Sequence, residues 1–326
     1  MTSLAQVTAL VDAHVSRDHT RFRAITLQIA AHLAARSERG ADQLRKLVEQ
    51  QQASSFVPLP SANGLLSAPP ALAALDDMVL TPSVRERIDR IVLEQARKFD
   101  LHTSGLDPAR KLLFTGPSGV GKTMAAGAIA RAVGLPMFRV ELHEVIASHL
   151  GETAGKLAKV FEHVRTLPAV YLFDEFDAIG ADRSSLSDGS SAGAEMRRVV
   201  NSLLQFIEDD RSDSLIIAAT NHEQMLDSAI FRRFDETIAF AVPTKDELVA
   251  LVSRALAEYG ETDVEQLDFD MIYAAAANPR LGHADVRAAL QGVRKDHVLA
   301  GVPIDTSHVV AGIARRVRGV RMEVAA

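Results

Sequence analysis

Gly116, Pro117, Ser118, Gly119, Val120, Gly121, Lys122 and Thr123 fit the spacing G-x-x-x-x-G-K-[ST]. Glycines at those points let successive backbone N–H groups turn toward one anion, and a helix opening directly behind them adds its positive end. In such a loop Lys122 reaches the β- and γ-phosphates of a nucleoside triphosphate, and the Thr123 hydroxyl ligates Mg²⁺. About fifty residues on, the apolar run Ala169-Val-Tyr-Leu-Phe173 ends in Asp174 and Glu175. Carboxylates at the C-terminal end of such a strand stand where α/β sheets place their ligands. There Asp174 would hold Mg²⁺ through water, and Glu175 would accept a proton from an attacking water. A second apolar run, Leu215-Ile-Ile-Ala-Ala-Thr220, leads to Asn221. Its amide can orient that water or the γ-phosphate, or simply cap the next helix. Arg232 and Arg233 follow at the end of a short helical stretch, far in sequence from the glycine loop. An adjacent arginine pair of this kind is ordinarily a solvated face.

The elements that must position these groups are legible from periodicity. From Leu75 to Val242 short apolar segments alternate with helical patterns, the mark of a parallel sheet flanked by helices. Strands are predicted at Leu112–Thr115, Met137–Val140, Ala169–Phe173, Leu215–Ala219 and Thr237–Phe240. A helix is predicted from Met124 to Val133, closed by Gly134 and Pro136. Beyond Pro243 the strands stop, and Thr244-Lys-Asp-Glu247 forms a capping box that opens a run of helices. The expected division is a helical module at 1–52, a linker rich in Ser, Pro and Ala at 53–74, an α/β core at 75–242 and an all-helical lid at 243–326.

Composition bounds the partners. A net charge of −6 gives no global attraction to nucleic acid or anionic membrane, and the absence of cysteine removes disulfides and thiolate chemistry. No apolar run approaches the 18 or so residues needed to span a bilayer. The first residues lack the basic start and apolar core of a leader, so a cytoplasmic enzyme is the expectation. There is no His-Glu-x-x-His zinc site either.

Together these motifs resemble the AAA ATPases of the wider AAA+ group, over residues from about 75 to 315. The most telling match is Ile216-Ile-Ala-Ala-Thr-Asn221 with Asp227-Ser-Ala-Ile-Phe-Arg-Arg-Phe-Asp235, which resembles the second region of homology. The resemblance implies a phosphate-loop NTPase fold that binds and hydrolyses ATP with Mg²⁺. Asn221 then matches the sensor-1 residue, and Arg232 and Arg233 match arginine fingers that complete a neighbouring subunit's site. A ring follows, usually a homo-hexamer. Leu75-Asp-Asp-Met78-Val79-Leu80 matches the segment that holds adenine, and Arg183 falls where relatives carry a basic residue. Relatives that thread polypeptide carry an aromatic–aliphatic–Gly channel loop; His149, Leu150 and Gly151 stand there, with histidine replacing the aromatic. In Leu281-Gly-His-Ala-Asp-Val-Arg287, Ala284 and Asp285 match the family, whereas His283 replaces a glycine. Arg287 has two readings, an approach to the nucleotide and a solvated helix face.

The implied work is remodelling, unfolding or disassembly of a protein client, with any protease a separately encoded partner. One rival is a nucleic-acid-dependent AAA+ ATPase, such as a loader, helicase accessory or transposition regulator. Its local support is Arg294, Lys295, Arg315, Arg316, Arg318 and Arg321. Another rival is a switch in which ATP controls assembly.

Overall fold

The computed structural model describes Thr26 and residues 64–69, 72–146, 152–177, 191–226, 228–258, 266–277 and 281–325. The chain divides into two compact units, Met1–Pro60 and Ser61–Ala326, and every element below lies in the second. In order these are β1 Leu66–Ser67, α1 Pro82–Ala96, α2 Lys98–Thr103, β2 Lys111–Thr115, α3 Lys122–Val133, β3 Met137–Val140, α4 Leu142–Ile146, α5 Glu152–Thr166 and β4 Val170–Phe173. There follow α6 Ser191–Asp209, β5 Leu215–Thr220, α7 Ser228–Phe231, β6 Glu236–Ala239, α8 Lys245–Ala257, α9 Phe269–Ala276, α10 His283–Ala300 and α11 Thr306–Ala325. The helical module expected at 1–52 lies outside the described residues except for Thr26. Among the described residues no helix is long and apolar enough to cross a membrane.

The six strands run in the order β1-β3-β4-β5-β2-β6. All neighbours are parallel except β1, which pairs antiparallel with β3. Every residue of β2, β4 and β5 is buried, as central strands covered on both faces require. Leu112, Phe114, Val170, Leu172, Ile217 and Ala219 pack beneath α1 and α3. The alternate residues face the other way, where Phe161 of α5 stacks on Phe173 at 5.9 Å and on Phe206 of α6 at 5.1 Å. Alternation at period two thus puts one phosphate-loop helix on one face and the α5–α6 pair on the other.

One departure from the sequence reading concerns an edge of the sheet. The stretch read as linker ends in sheet: Leu65 and Leu66 are each 2 % exposed, and Leu66 pairs with Val140. The Glu141 N–H donates to the Leu65 carbonyl, and the Ser67 hydroxyl donates to the Glu141 carboxylate. Two strand residues amid Ser, Pro and Gly carry too little alternation to be recognised. The helical lid has its own core, with Leu248, Val252, Ile272, Val286, Leu290, Val309 and Ile313 among its buried side chains. Its first helix is capped as expected: Glu247 N–H donates to Thr244 Oγ1, and Thr244 N–H donates to Glu247 Oε2 at 2.8 Å.

Candidate nucleotide site

After β2 the chain turns through Gly116, Gly119 and Gly121 at φ 133°, 76° and 99°, all left-handed, and enters α3 at Lys122. A side chain at Gly116 is doubly barred, since a Cβ there would stand 2.0 Å from the Phe240 carbonyl oxygen. The helix behind the loop is rich in alanine, with Ala125, Ala126, Ala128 and Ala130 fully buried, so it lies close on the sheet. Lys122 is 6 % exposed. Its ammonium donates to the Gly116 and Pro117 carbonyls at 2.7 Å each and to Asn221 Oδ1 at 2.8 Å. Burial pushes this lysine below the usual range, against the pull of Asp174 and Asp177.

Asp174 and Glu175 follow β4 at the same end of the sheet. Asp174 Oδ2 accepts from the Thr123 hydroxyl at 2.9 Å, and the Arg139 guanidinium lies 3.9 Å away. A hydroxyl and a carboxylate in contact, beside a buried ammonium and a loop with three left-handed glycines, are a donor set that fits Mg²⁺ and a polyphosphate. Glu175 is exposed and carries a left-handed backbone at φ 53°, the one non-glycine residue with positive φ among those described. Its N–H donates to Asp174 Oδ1 at 3.0 Å.

Thus Lys122, Thr123, Asp174 and Asn221 meet, with Glu175 next in the chain, although up to 99 residues separate them in sequence. Arg232 and Arg233 do not join them. The turn that bears them is fastened to the opposite end of β2. Asp235 Oδ2 accepts the backbone N–H groups of Arg110 and Lys111 at 2.9 Å each, and the Asp235 N–H donates to the Lys111 carbonyl. Arg233 Nε donates to Glu208 Oε2 at 3.1 Å, and Arg232 is exposed. His149, Leu150, Gly151 and Arg183 lie outside the described residues.

The lid begins α10 directly on the glycine loop. The Ala284 N–H donates to the Gly119 carbonyl at 2.9 Å, and a Cβ on Gly282 would stand 2.7 Å from Gly119 C and O. Both ring nitrogens of His283 are buried without a hydrogen-bond partner. Burial lowers this imidazole's pKa against the opposing Glu247 carboxylate, and so favours the neutral ring. Met78 packs against the core, with its Cε 3.5 Å from where a Cβ on Gly121 would stand, while Val79 packs against the lid core. Arg254 of α8 donates to the Asp76 carbonyl and to Asp77 Oδ1, tying the lid to the Leu75–Leu80 segment. Arg287 pairs with Glu258 at 2.7 Å and is 42 % exposed, the solvated-face arrangement. In the basic C-terminal stretch, Arg315 and Arg316 pair with Asp296 and Asp285.

Three of these residues carried no assignment in the sequence reading. Gly282 and Arg254 act through contacts that depend on how lid meets core, which local pattern does not encode. Asp177 had a signal, standing three residues past Asp174 in the same acidic stretch.

Residues 112–242 match the model of the ATPase family associated with various cellular activities (AAA). The chain is 45% identical over 168 residues to "Uncharacterized AAA family ATPase y4kL" of Sinorhizobium fredii, covering 52% of this chain and 50% of that one. It is 31% identical to "Peroxisomal ATPase pex6" of Schizosaccharomyces pombe, over 64% of this chain and 22% of that one. It is 29% identical to "Cell division cycle protein 48 homolog" of Archaeoglobus fulgidus, over 67% of this chain and 30% of that one. The chain therefore spans half or less of the length of these relatives. The solved FIGL-1 AAA domain shares the fold at a TM-score of 0.55 and 21% identity, covering 78% of this chain and 85% of that one. With the glycine loop, the buried lysine and the acidic strand end all inside the matched segment, this chain carries a domain of the AAA family of ATPases.

Proposed function

We propose that this chain binds ATP with Mg²⁺ and hydrolyses it, at sites that a second copy completes within a ring. Lys122 and the loop N–H groups would hold the phosphates. Thr123 and Asp174 would hold Mg²⁺, which offsets charge on the β- and γ-phosphate oxygens. Glu175, exposed beside them, accepts a proton from the water that attacks the terminal phosphorus as the bond to the ADP oxygen breaks. Asn221 orients that water or the γ-phosphate.

The observation that carries the reading is the buried Lys122 ammonium, whose three donors are gathered by two loop carbonyls and Asn221. Action of Arg232 and Arg233 in trans is favoured by their place. Their turn is docked on Arg110 and Lys111, and five strand residues separate that end of β2 from Gly116, a span of about 16 Å. An arginine finger supplied by a neighbour is worth about 10³ to 10⁵ in rate. The relatives named above include a peroxisomal ATPase and a cell division cycle protein, and with them a ring of six copies that remodels a protein client is the reading we adopt. Pairing of Arg315 and Arg316 with carboxylates leaves less free positive charge for the nucleic-acid alternative.

Glu175→Gln should keep ATP binding and lose turnover, and undiminished hydrolysis would refute the base assignment. Arg233→Ala and Lys122→Ala subunits, each inactive alone, should recover part of the activity when mixed. Failure to complement would overturn action in trans.

A further inference from the structure

Asp177 bridges the ends of two neighbouring strands. Past the last register pair of β4 and β5, Phe173 with Ala218, the Phe176 N–H donates to the Ala219 carbonyl at 2.8 Å. One residue later, Asp177 Oδ1 accepts both the Thr220 hydroxyl and the Asn221 backbone N–H, each at 3.1 Å. The Thr220 oxygen in turn accepts the His222 N–H at 3.1 Å, so the carboxylate and hydroxyl together fix the chain on both sides of Asn221. Asn221 stands just past the last ladder pair, Thr115 with Thr220, where strand geometry no longer sets its dihedrals. Its side-chain oxygen nevertheless lies 2.8 Å from the Lys122 ammonium.

We propose that Asp177 is the positioning residue of the site: one carboxylate oxygen fixes the Asn221 backbone, and so aims its amide at Lys122 and whatever Lys122 holds. This rests on the reading of Asn221 as a group that acts on the phosphate or the attacking water. Two donors converge on a single oxygen, so aim depends on the reach of the side chain rather than on its charge. Asparagine has the same reach and keeps that acceptor oxygen, whereas glutamate keeps the charge and moves the oxygen by one methylene.

The experiment compares Asp177→Asn, Asp177→Glu, Asp177→Ala and Asn221→Ala in the full chain, together with the Asp177→Ala/Asn221→Ala double variant. The readouts are the affinity for a fluorescent ATP analogue and kcat for hydrolysis. Expected are affinities within about threefold of the parent and kcat within about threefold for Asp177→Asn. For Asp177→Glu and Asp177→Ala kcat should fall by about 10²-fold, the cost of a misplacement near 1 Å. The double variant should be no slower than Asn221→Ala, because removing the aimed group leaves nothing to aim. The proposal is overturned if Asp177→Glu is as fast as Asp177→Asn, if both fall equally, or if the double variant loses the product of the single effects. If Asn221→Ala alone turns over at the parent rate, the reading of Asn221 falls and this proposal with it. A slow Asn221→Ala beside a fast Asp177→Ala overturns the proposal alone. Should Asp177→Ala not fold by circular dichroism, the Asn and Glu variants decide the question.

Discussion

The approach of the lid to the glycine loop can be tested with one methyl group. Gly282 has an ordinary extended backbone, φ −84° and ψ 174°, so alanine meets no conformational penalty there. Its Cβ would nevertheless lie 2.7 Å from Gly119 C and O and 2.9 Å from the Ser118 oxygen. All three are backbone atoms of the loop and cannot rotate aside. Ordinary contact begins at 3.4 Å, so the first turn of α10 must retreat by 3.4 − 2.7, or about 0.7 Å. That retreat stretches the bond from the Ala284 N–H to the Gly119 carbonyl from 2.9 Å to about 3.6 Å, beyond hydrogen-bonding range. The lost bond is worth about 1 kcal/mol and the residual strain about 1 to 3 kcal/mol. Gly282→Ala should therefore cost about 2 kcal/mol or more, lowering Tm by roughly 4–8 °C for a unit of this size. Affinity for a fluorescent ATP analogue should fall with it. Gly292→Ala, on the same helix with nothing within 4 Å of the new Cβ, is the control and should be stabilising by about 0.5–1 kcal/mol. Differential scanning calorimetry on both variants checks the pair. Equal Tm values for the two would refute a loop-to-lid contact this close.

Glu175→Gly should raise stability by up to about 1 kcal/mol in urea unfolding, because glycine accepts φ 53° without the Cβ clash. A midpoint unchanged or lowered would show that the left-handed backbone is not strained. His283 should make stability pH-dependent. Burial holds its folded pKa below the 6.5 of a free imidazole, so the unfolded chain binds the proton first. Stability is then full above about pH 6.5 and falls as the pH drops toward the folded pKa, while His283→Ala should flatten that slope in urea titrations. Asp235→Ala removes the acceptor of two backbone N–H groups and should cost about 1–3 kcal/mol by thermal unfolding. A loss under about 0.5 kcal/mol would mean that water replaces the carboxylate.

Chemistry with strict spacing is what sequence reveals well. The eight loop residues, the acidic strand end and Asn221 were all legible because each terminates a buried apolar strand, and the strand order then brings their ends together. Strand positions were legible to within a residue for the same reason, since β2, β4 and β5 are buried throughout. β1 was not, for an antiparallel edge of two residues is defined by its partner Val140 rather than by its own pattern. The fastening of Arg254 to Asp76 and Asp77 joins groups 177 and 178 residues apart, with nothing local to announce it. Arg287 shows the opposite case: the sequence left two readings, and only the position of Glu258 chose between them.

β2 is gripped at both ends. At one end its backbone is clamped by Asp235, within the turn that bears Arg232 and Arg233, and at the other it becomes the glycine loop. Between them the five residues are buried, all five paired to β5 and the last four also to β6. A segment so confined has little freedom to bend or stretch and behaves as a stiff rod. A push on the arginine-bearing turn would therefore reach Gly116 as displacement rather than as local deformation absorbed along the way, since close-packed interiors transmit strain.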